Sequence, residues 1–270
     1  MLFSSRSYAI GMAHHQMAGG FRTVGILLGG YVVIVGGVIG LIAYQTDIVN
    51  LWRAFQGLFT FLFVVEAFLL VVVGALRVAG CIRIDATTGM IESHRLMPLT
   101  PARAVLGYLF GTTTHVLSLV ALNVLTMAAL APVARVSLDN FLIAQIVLAL
   151  FALFTWTFAA VGTMIFKQAL PLMVLGLIFG SCASTLLRRW GILPGISILA
   201  SPFLGETIFS LSGGRITMRA AYPLAFATQA AFSVTFFLAA CRRYRDAFAI
   251  AFNVPLGIAL LAVWGLLTAL

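Results

Sequence analysis

The sequence predicts an all-α membrane protein, a polytopic bundle of six to seven transmembrane helices forming a single transmembrane domain over residues 1–270. Three observations carry this expectation. Charged residues make up only 9% of the chain and hydrophobic ones 62%, whereas a soluble domain carries about 25% charge. The apolar residues run unbroken for about 20 positions at a time, the length of a membrane-crossing helix; strands of a membrane barrel alternate apolar and polar residues instead. The basic residues fall between these runs, singly or in small groups, as membrane topology requires.

The elements follow in order. Residues 1–23 are an N-terminal interfacial segment, suited to lie on the membrane as an amphipathic helix. They lack a compact apolar core followed by a small-residue cleavage site, so no removable signal peptide is expected. His14 and His15 are adjacent and point about 100° apart on a helix, which suits a solvated face better than a metal site. Seven apolar runs then occupy 24–44, 58–80, 104–132, 141–166, 169–187, 221–241 and 248–269. In lipid each must satisfy its own backbone and so becomes a helix. Gly25/Gly29 and Gly36/Gly40 in the first run, and Gly176, Gly180 and Ser184 in the fifth, have the spacing that lets helices approach closely. Packing within the chain is the first use expected of them, and a subunit interface the second.

Orientation follows from the cations. With the N-terminus cytoplasmic, the inner segments hold Arg6, Arg22, Arg77, Arg83, Arg95, Arg103, Lys167, Arg242, Arg243 and Arg245, and the two short outer loops only Arg53 and Arg135. This is a positive-inside bias. An extracytoplasmic loop at 188–220 runs against it with Arg188, Arg189, Arg215 and Arg219. Within that loop 192–213 is nearly apolar enough to cross. Pro194, Pro202 and Glu206 argue for re-entrant or interfacial helices rather than a straight span.

One polar stretch stands out, "DATTGMIESHRLMPLTPAR" at 85–103, within a cytoplasmic segment 81–103. Thr87 or Thr88 is a candidate cap for a short helix "MIESHRLM", with Gly89 freeing the turn before it. Glu92 near its start and Arg95 near its end suit the helix dipole. Pro98 ends it. Thr100–Pro101 then reads as an N-cap with proline in the first helical turn, launching the third span. Such a knob is either a handle for another protein or a loop helix resting on the membrane surface.

The order second span, Asp85, Gly89-Met90-Ile91-Glu92, Leu96-Met97-Pro98-Leu99-Thr100, then Val105-Leu106-Gly107 opening the third span resembles the permease subunits of type-2 ATP-binding-cassette (ABC) transporters. The matching positions are Asp85, Gly89, Ile91, Glu92, Leu96, Pro98, Leu99, Thr100 and Gly107; "LASPF" at 199–203 is similar too. Met90 stands where the family usually has threonine, Tyr108 where it usually has lysine, and a seventh span exceeds the usual six. The resemblance implies a type-2 ABC exporter-like fold in the cell membrane. It implies that the short helix is a coupling helix docking on a separate ATPase, with Gly89, Met90, Ile91, Glu92, Arg95, Leu96 and Pro98 at that interface. It also implies pairing with a second permease copy or a relative, and export of amphiphiles, lipids, glycans, drugs or ions. ATP and Mg would be used by the partner ATPase, and no cofactor is expected in this chain.

Other functions have less to stand on. A P-loop needs a glycine-led Gly-Lys-Ser/Thr step, and the only lysine, Lys167, lacks one. "GSCAS" at 180–184 is not a serine-protease elbow, and there is no His-Glu-x-x-His. Cys81, Cys182 and Cys241 match no metal or disulfide pattern. The net charge of +9 is spread between spans and forms no nucleic-acid face. Glu66 lies in mid-span, where a charge costs about 2.5–3.5 kcal/mol, so it is expected to be paired or to face a wet cavity. His115 at similar depth is its candidate partner, within a polar stripe of Thr112, His115, Asn123 and Thr126. Helix–helix adhesion is the plain use of that stripe. A secondary transporter or channel using Glu66/His115 is the alternative function, followed by an intramembrane enzyme and a non-transporting assembly protein.

Overall fold

The computed structural model describes residues 20–45, 48–96, 99–166, 218–246, 250–259 and 262. The expected fifth span with its glycines, Cys182, Lys167, most of the 188–220 loop, residues 1–19, Met97, Pro98 and half of 248–269 lie outside these. Among the described residues the protein is all-helical. Three helices are long and apolar enough to cross a membrane, or four if one bent pair counts as a single span.

Helix α1 (Gly20–Gln45) leads into one continuous 38-residue helical run, Leu51–Thr88. That run comprises α2 (Ile48–Ala67), a π-helical turn (Phe68–Val73) and α3 (Gly74–Thr88). The short α4 (Met90–Leu96) follows, then α5 (Pro101–Leu106), a second π turn (Gly107–Gly111) and α6 (Thr114–Leu130). The last two helical pieces bend by 56°. Helices α7 (Leu138–Ile165) and α8 (Met218–Arg245) complete the bundle.

The first, second, third, fourth and sixth apolar runs fall in helices among the described residues, with two corrections. The second run extends eight residues past 80, to Thr88, because its amphipathic end "RVAGCIRIDATT" packs Val78, Ile82 and Asp85 inward. The third is bent, not straight. Its π turn breaks the regular backbone ladder, and the "TTT" after Gly111 bonds back to carbonyls there: Thr112 Oγ1 donates to Tyr108 O at 2.5 Å, Thr113 Oγ1 to Leu109 O at 2.6 Å and Thr114 Oγ1 to Gly111 O at 2.9 Å. Such back-bonding threonines bend helices. At the first π turn, Trp156 Nε1 donates to Leu70 O at 2.7 Å.

The caps around 85–103 are half as expected. Thr100 does cap α5, its hydroxyl accepting from Arg103 N at 3.4 Å with Pro101 behind it. Thr87 and Thr88 do not start α4. Both hydroxyls donate back to Ile84 O at 2.9 Å, so they close α3, and Gly89 (φ +75°) terminates it in the left-handed conformation that glycine adopts without strain.

Two buried clusters hold the bundle. The larger joins α3, α5, α7 and α8 through Val78, Ile82, Val105, Leu148, Trp156 and Ala239. The smaller joins α2, α6 and α7 through Phe55, Leu58, Leu62, Met127, Leu130 and Phe141. Phe154 and Phe158 of α7 meet Phe236 of α8 edge-on, with centroids 5.8 and 5.2 Å apart, a geometry worth about 0.5–1.5 kcal/mol per pair. Helix α1 only skirts the bundle. Among the described residues, Gly25, Gly29, Gly36 and Gly40 face nothing within 4 Å of where a Cβ would lie, so the described helices do not supply the close packing expected of them.

Candidate functional site

Two polar constellations sit in this framework. The first is in mid-run. Arg53 and Arg77 bracket 23 residues whose one charge is Glu66, a stretch of about 35 Å at 1.5 Å per residue. Glu66 is near its centre and fully buried. Its Oε2 accepts from Asn123 Nδ2 of α6 at 3.1 Å and from Gln145 Nε2 of α7 at 3.2 Å. Asn123 Nδ2 also reaches Leu62 O at 3.2 Å, and its Oδ1 accepts from Tyr31 of α1 at 2.7 Å. One amide thus ties three helices together. A carboxyl in an apolar surround needs such donors, since an unmatched buried polar group costs free energy.

His115 is buried but is not among the partners of Glu66. The reason is the hairpin's turning point. The helix before it ends at Thr88, eight residues later than the end of the apolar run at 80 suggested. The residue opposite Glu66 therefore moves by the same eight positions, from His115 to Asn123. Ion coupling through a Glu66/His115 pair loses its geometry. Thr112 is occupied within its own helix, and Thr126, whose Oγ1 donates to Leu122 O at 2.9 Å, lies beside Tyr31, so of the polar stripe it is Asn123 that bonds Glu66.

The second constellation is at the far end of α3. Tyr108 Oη donates to Asp85 Oδ2 at 2.5 Å. His94 Nδ1 of α4 lies 3.3 Å from Tyr108 Oη and 3.7 Å from Asp85 Oδ2. With the tyrosine hydrogen committed to Asp85, the His94–Tyr108 bond has Nδ1–H as its donor. Beside it, Arg95 Nη1 pairs with Glu92 Oε1 at 2.6 Å, Nε donates to Tyr244 O at 2.7 Å, and Nη2 to Arg243 O at 3.2 Å. Tyr244 packs edge-on to Tyr108 at 6.4 Å, and burial pushes its phenol up to about 12.

These bonds give α4 two faces. Ile91 packs on the larger cluster, and His94 and Arg95 turn the same way. Gly89 and Glu92 are exposed, Met90 is 41% exposed and Leu96 90%. Ile91 is half-buried, so part of its side chain serves the bundle. Sequence reasoning missed Tyr31 and Gln145 around Glu66, and His94 and Tyr244 below. Asp85 and Tyr108 were visible as motif positions, but their bond was not.

Comparison of this chain with protein-family models, characterised proteins and solved structures gives no match.

Proposed function

We propose that this chain is the membrane-spanning permease subunit of an ATP-driven ABC transporter of the type-2 exporter kind, coupled to separate ATPase subunits. The observation that carries the reading is α4. Its inner face is bonded to the bundle through Ile91, His94 and Arg95, and its outer face carries Leu96, one of the most exposed large apolar side chains among the described residues. A lone bundle gains nothing from such a side chain; a docking partner does. Tyr108 supports the resemblance where it departs from it. Standing where the family usually has lysine, it still donates to Asp85, the motif's acidic residue.

The expected six to seven spans fit the helix ends. Arg243 Nε of α8 donates to Met164 O of α7 at 3.4 Å, so both helices finish at one end of the bundle. With α7 and α8 both as spans, an odd number of crossings between them agrees with the run at 169–187 and leaves 192–213 without one. Arg83, Arg95, Arg103, Arg242, Arg243 and Arg245 gather at that end, which we assign to the cytoplasm by the positive-inside rule. At the opposite end Arg53 and Arg135 lie 5.3 and 5.1 Å from the Trp52 ring, a pairing suited to the aromatic belt. The exported molecule, and whether the second permease is a copy or a relative, rest on the resemblance.

Replacing Leu96 with Asp tests the docking. The variant folds normally, because Leu96 makes little contact with the bundle, and loses co-purification of a P-loop ATPase from native membranes. Retention of the ATPase by Leu96→Asp, or a wild-type protein that brings down no ATPase, overturns the proposal.

A further inference from the structure

The last carbonyls of a helix have no partner inside it and carry its negative dipole end. In α8 two of them, those of Arg243 and Tyr244, are taken by one side chain from the other half of the chain, Arg95. We propose that Arg95 is a positioning residue that joins α4 to the cytoplasmic end of α8, so that a push on α4 moves α8 with it. The push itself rests on the docking role proposed above; the joint does not.

Three features support the joint. First, a guanidinium is charged at every accessible pH and presents its donors in a fixed fork, and Arg95 fills both prongs with adjacent carbonyls while Glu92 holds the remaining one. Its side chain is only 18% exposed, so solvent competes poorly. Second, these elements are not closely packed along their length. A cleft of about 690 Å³ separates them, lined by Gly89, Ile91, Arg95, Thr163, Met164 and Arg243 among others. Third, the chain link from α3 to α4 is the single left-handed Gly89, which leaves α4 free to swing relative to α3 unless side chains hold it. His94 ties it to α3 and the second π turn through Asp85 and Tyr108; Arg95 ties it to α8. Helix α8 passes the connection on, since its own Arg243 bonds the end of α7.

The experiment uses the full chain in lipid nanodiscs, with Cys81, Cys182 and Cys241 replaced by serine and nitroxides on cysteines at the exposed Ser93 and Arg242. Pulsed electron resonance reads the distance between α4 and the end of α8. With Arg95 intact a single narrow distance is expected. Arg95→Gln raises the undocked population about tenfold, equivalent to about 1.4 kcal/mol, and Arg95→Lys, which keeps the charge without the fork, falls between. Glu92→Gln leaves the distance narrow, because the bonds to α8 remain. A Gln variant as narrow as the parent, or a Glu92→Gln variant as broad as Arg95→Gln, overturns the joint. Adding the ATPase subunits with trapped nucleotide then reads the push. With Arg95 present the Arg242 label shifts relative to one at the exposed Leu138; in Arg95→Gln only the Ser93 label shifts. Equal shifts of Arg242 in both proteins overturn transmission through Arg95. Absence of ATPase binding by the parent counts against the docking role, while the distances in the chain alone still decide the joint.

Discussion

Replacing Gly74 with alanine adds one methyl group at a tight helix crossing. A Cβ there would lie 2.7 Å from Trp156 Cε2 and 2.9 Å from Cζ2, and closer still to Nε1. The indole is 2% exposed and has no open space to retreat into. Its Nε1–H is also the donor to Leu70 O, so a shifted ring weakens that bond. Overpacking costs about 1–3 kcal/mol and a net hydrogen bond about 1 kcal/mol. Alanine recovers about 0.5–1 kcal/mol of helix propensity over glycine. The sum is a destabilisation of about 1–3.5 kcal/mol, measured by reversible unfolding in mixed micelles. Trp156→Phe is a built-in control. It forfeits the Leu70 bond but vacates the space, so Gly74→Ala in that background costs less than about 1 kcal/mol. A Gly74→Ala protein within about 0.5 kcal/mol of the parent, or full additivity of the two changes, would refute the reasoning.

Two further outcomes follow from the buried polar groups. Asn123→Ala removes the amide that serves Glu66, Leu62 O and Tyr31 at once. It is expected to lower stability by about 2 kcal/mol, against about 0.6 kcal/mol for Tyr31→Phe, a typical single bond in a membrane bundle; equal effects of the two in the same unfolding assay would count against Asn123 as the hub. Tyr244 Oη is buried without a hydrogen-bond partner among the described residues, so Tyr244→Phe is neutral or stabilising by up to about 1 kcal/mol at pH 7. The folded phenol is raised to about 12 against about 10 when unfolded. Its contribution is therefore complete below pH 10 and lost as pH rises through 12. Stability titrated across that window falls less steeply in Tyr244→Phe, and parallel curves would refute the assignment.

The long apolar helices among the described residues were legible because hydropathy alone decides where a chain enters lipid. The register between spans was not. Arg83 and Asp85 end the apolar run, yet the helix continues, because Val78, Ile82 and the buried Asp85 still lie on one side of it. Reading the end of the second span from composition placed it eight residues early, at 80 instead of Thr88, and paired Glu66 with His115. The exposed tip of α4 was legible from the isolated polar stretch, but the side of the helix on which Ile91 falls was not, since seven residues with few apolar members fix no unique face. The partners of Arg95 lie 148 and 149 residues away and are backbone carbonyls, which leave no mark on the sequence. The π turns are equally silent. Only the run of threonines at 112–114 hints at a place where a helix must be mended.

The run Leu51–Thr88 is longer than the film it crosses, and Glu66 pins it off-centre. From Glu66 one arm reaches 22 residues to Thr88 and the other 15 to Leu51, about 33 and 22 Å at 1.5 Å per residue. Pivoted at the Asn123–Gln145 cradle, a rocking of about 10° would sweep the Thr88 tip by about 6 Å, close to one helical turn, and the Leu51 end by about 4 Å. Such a beam would turn a wide movement at one end into a shorter one at the other.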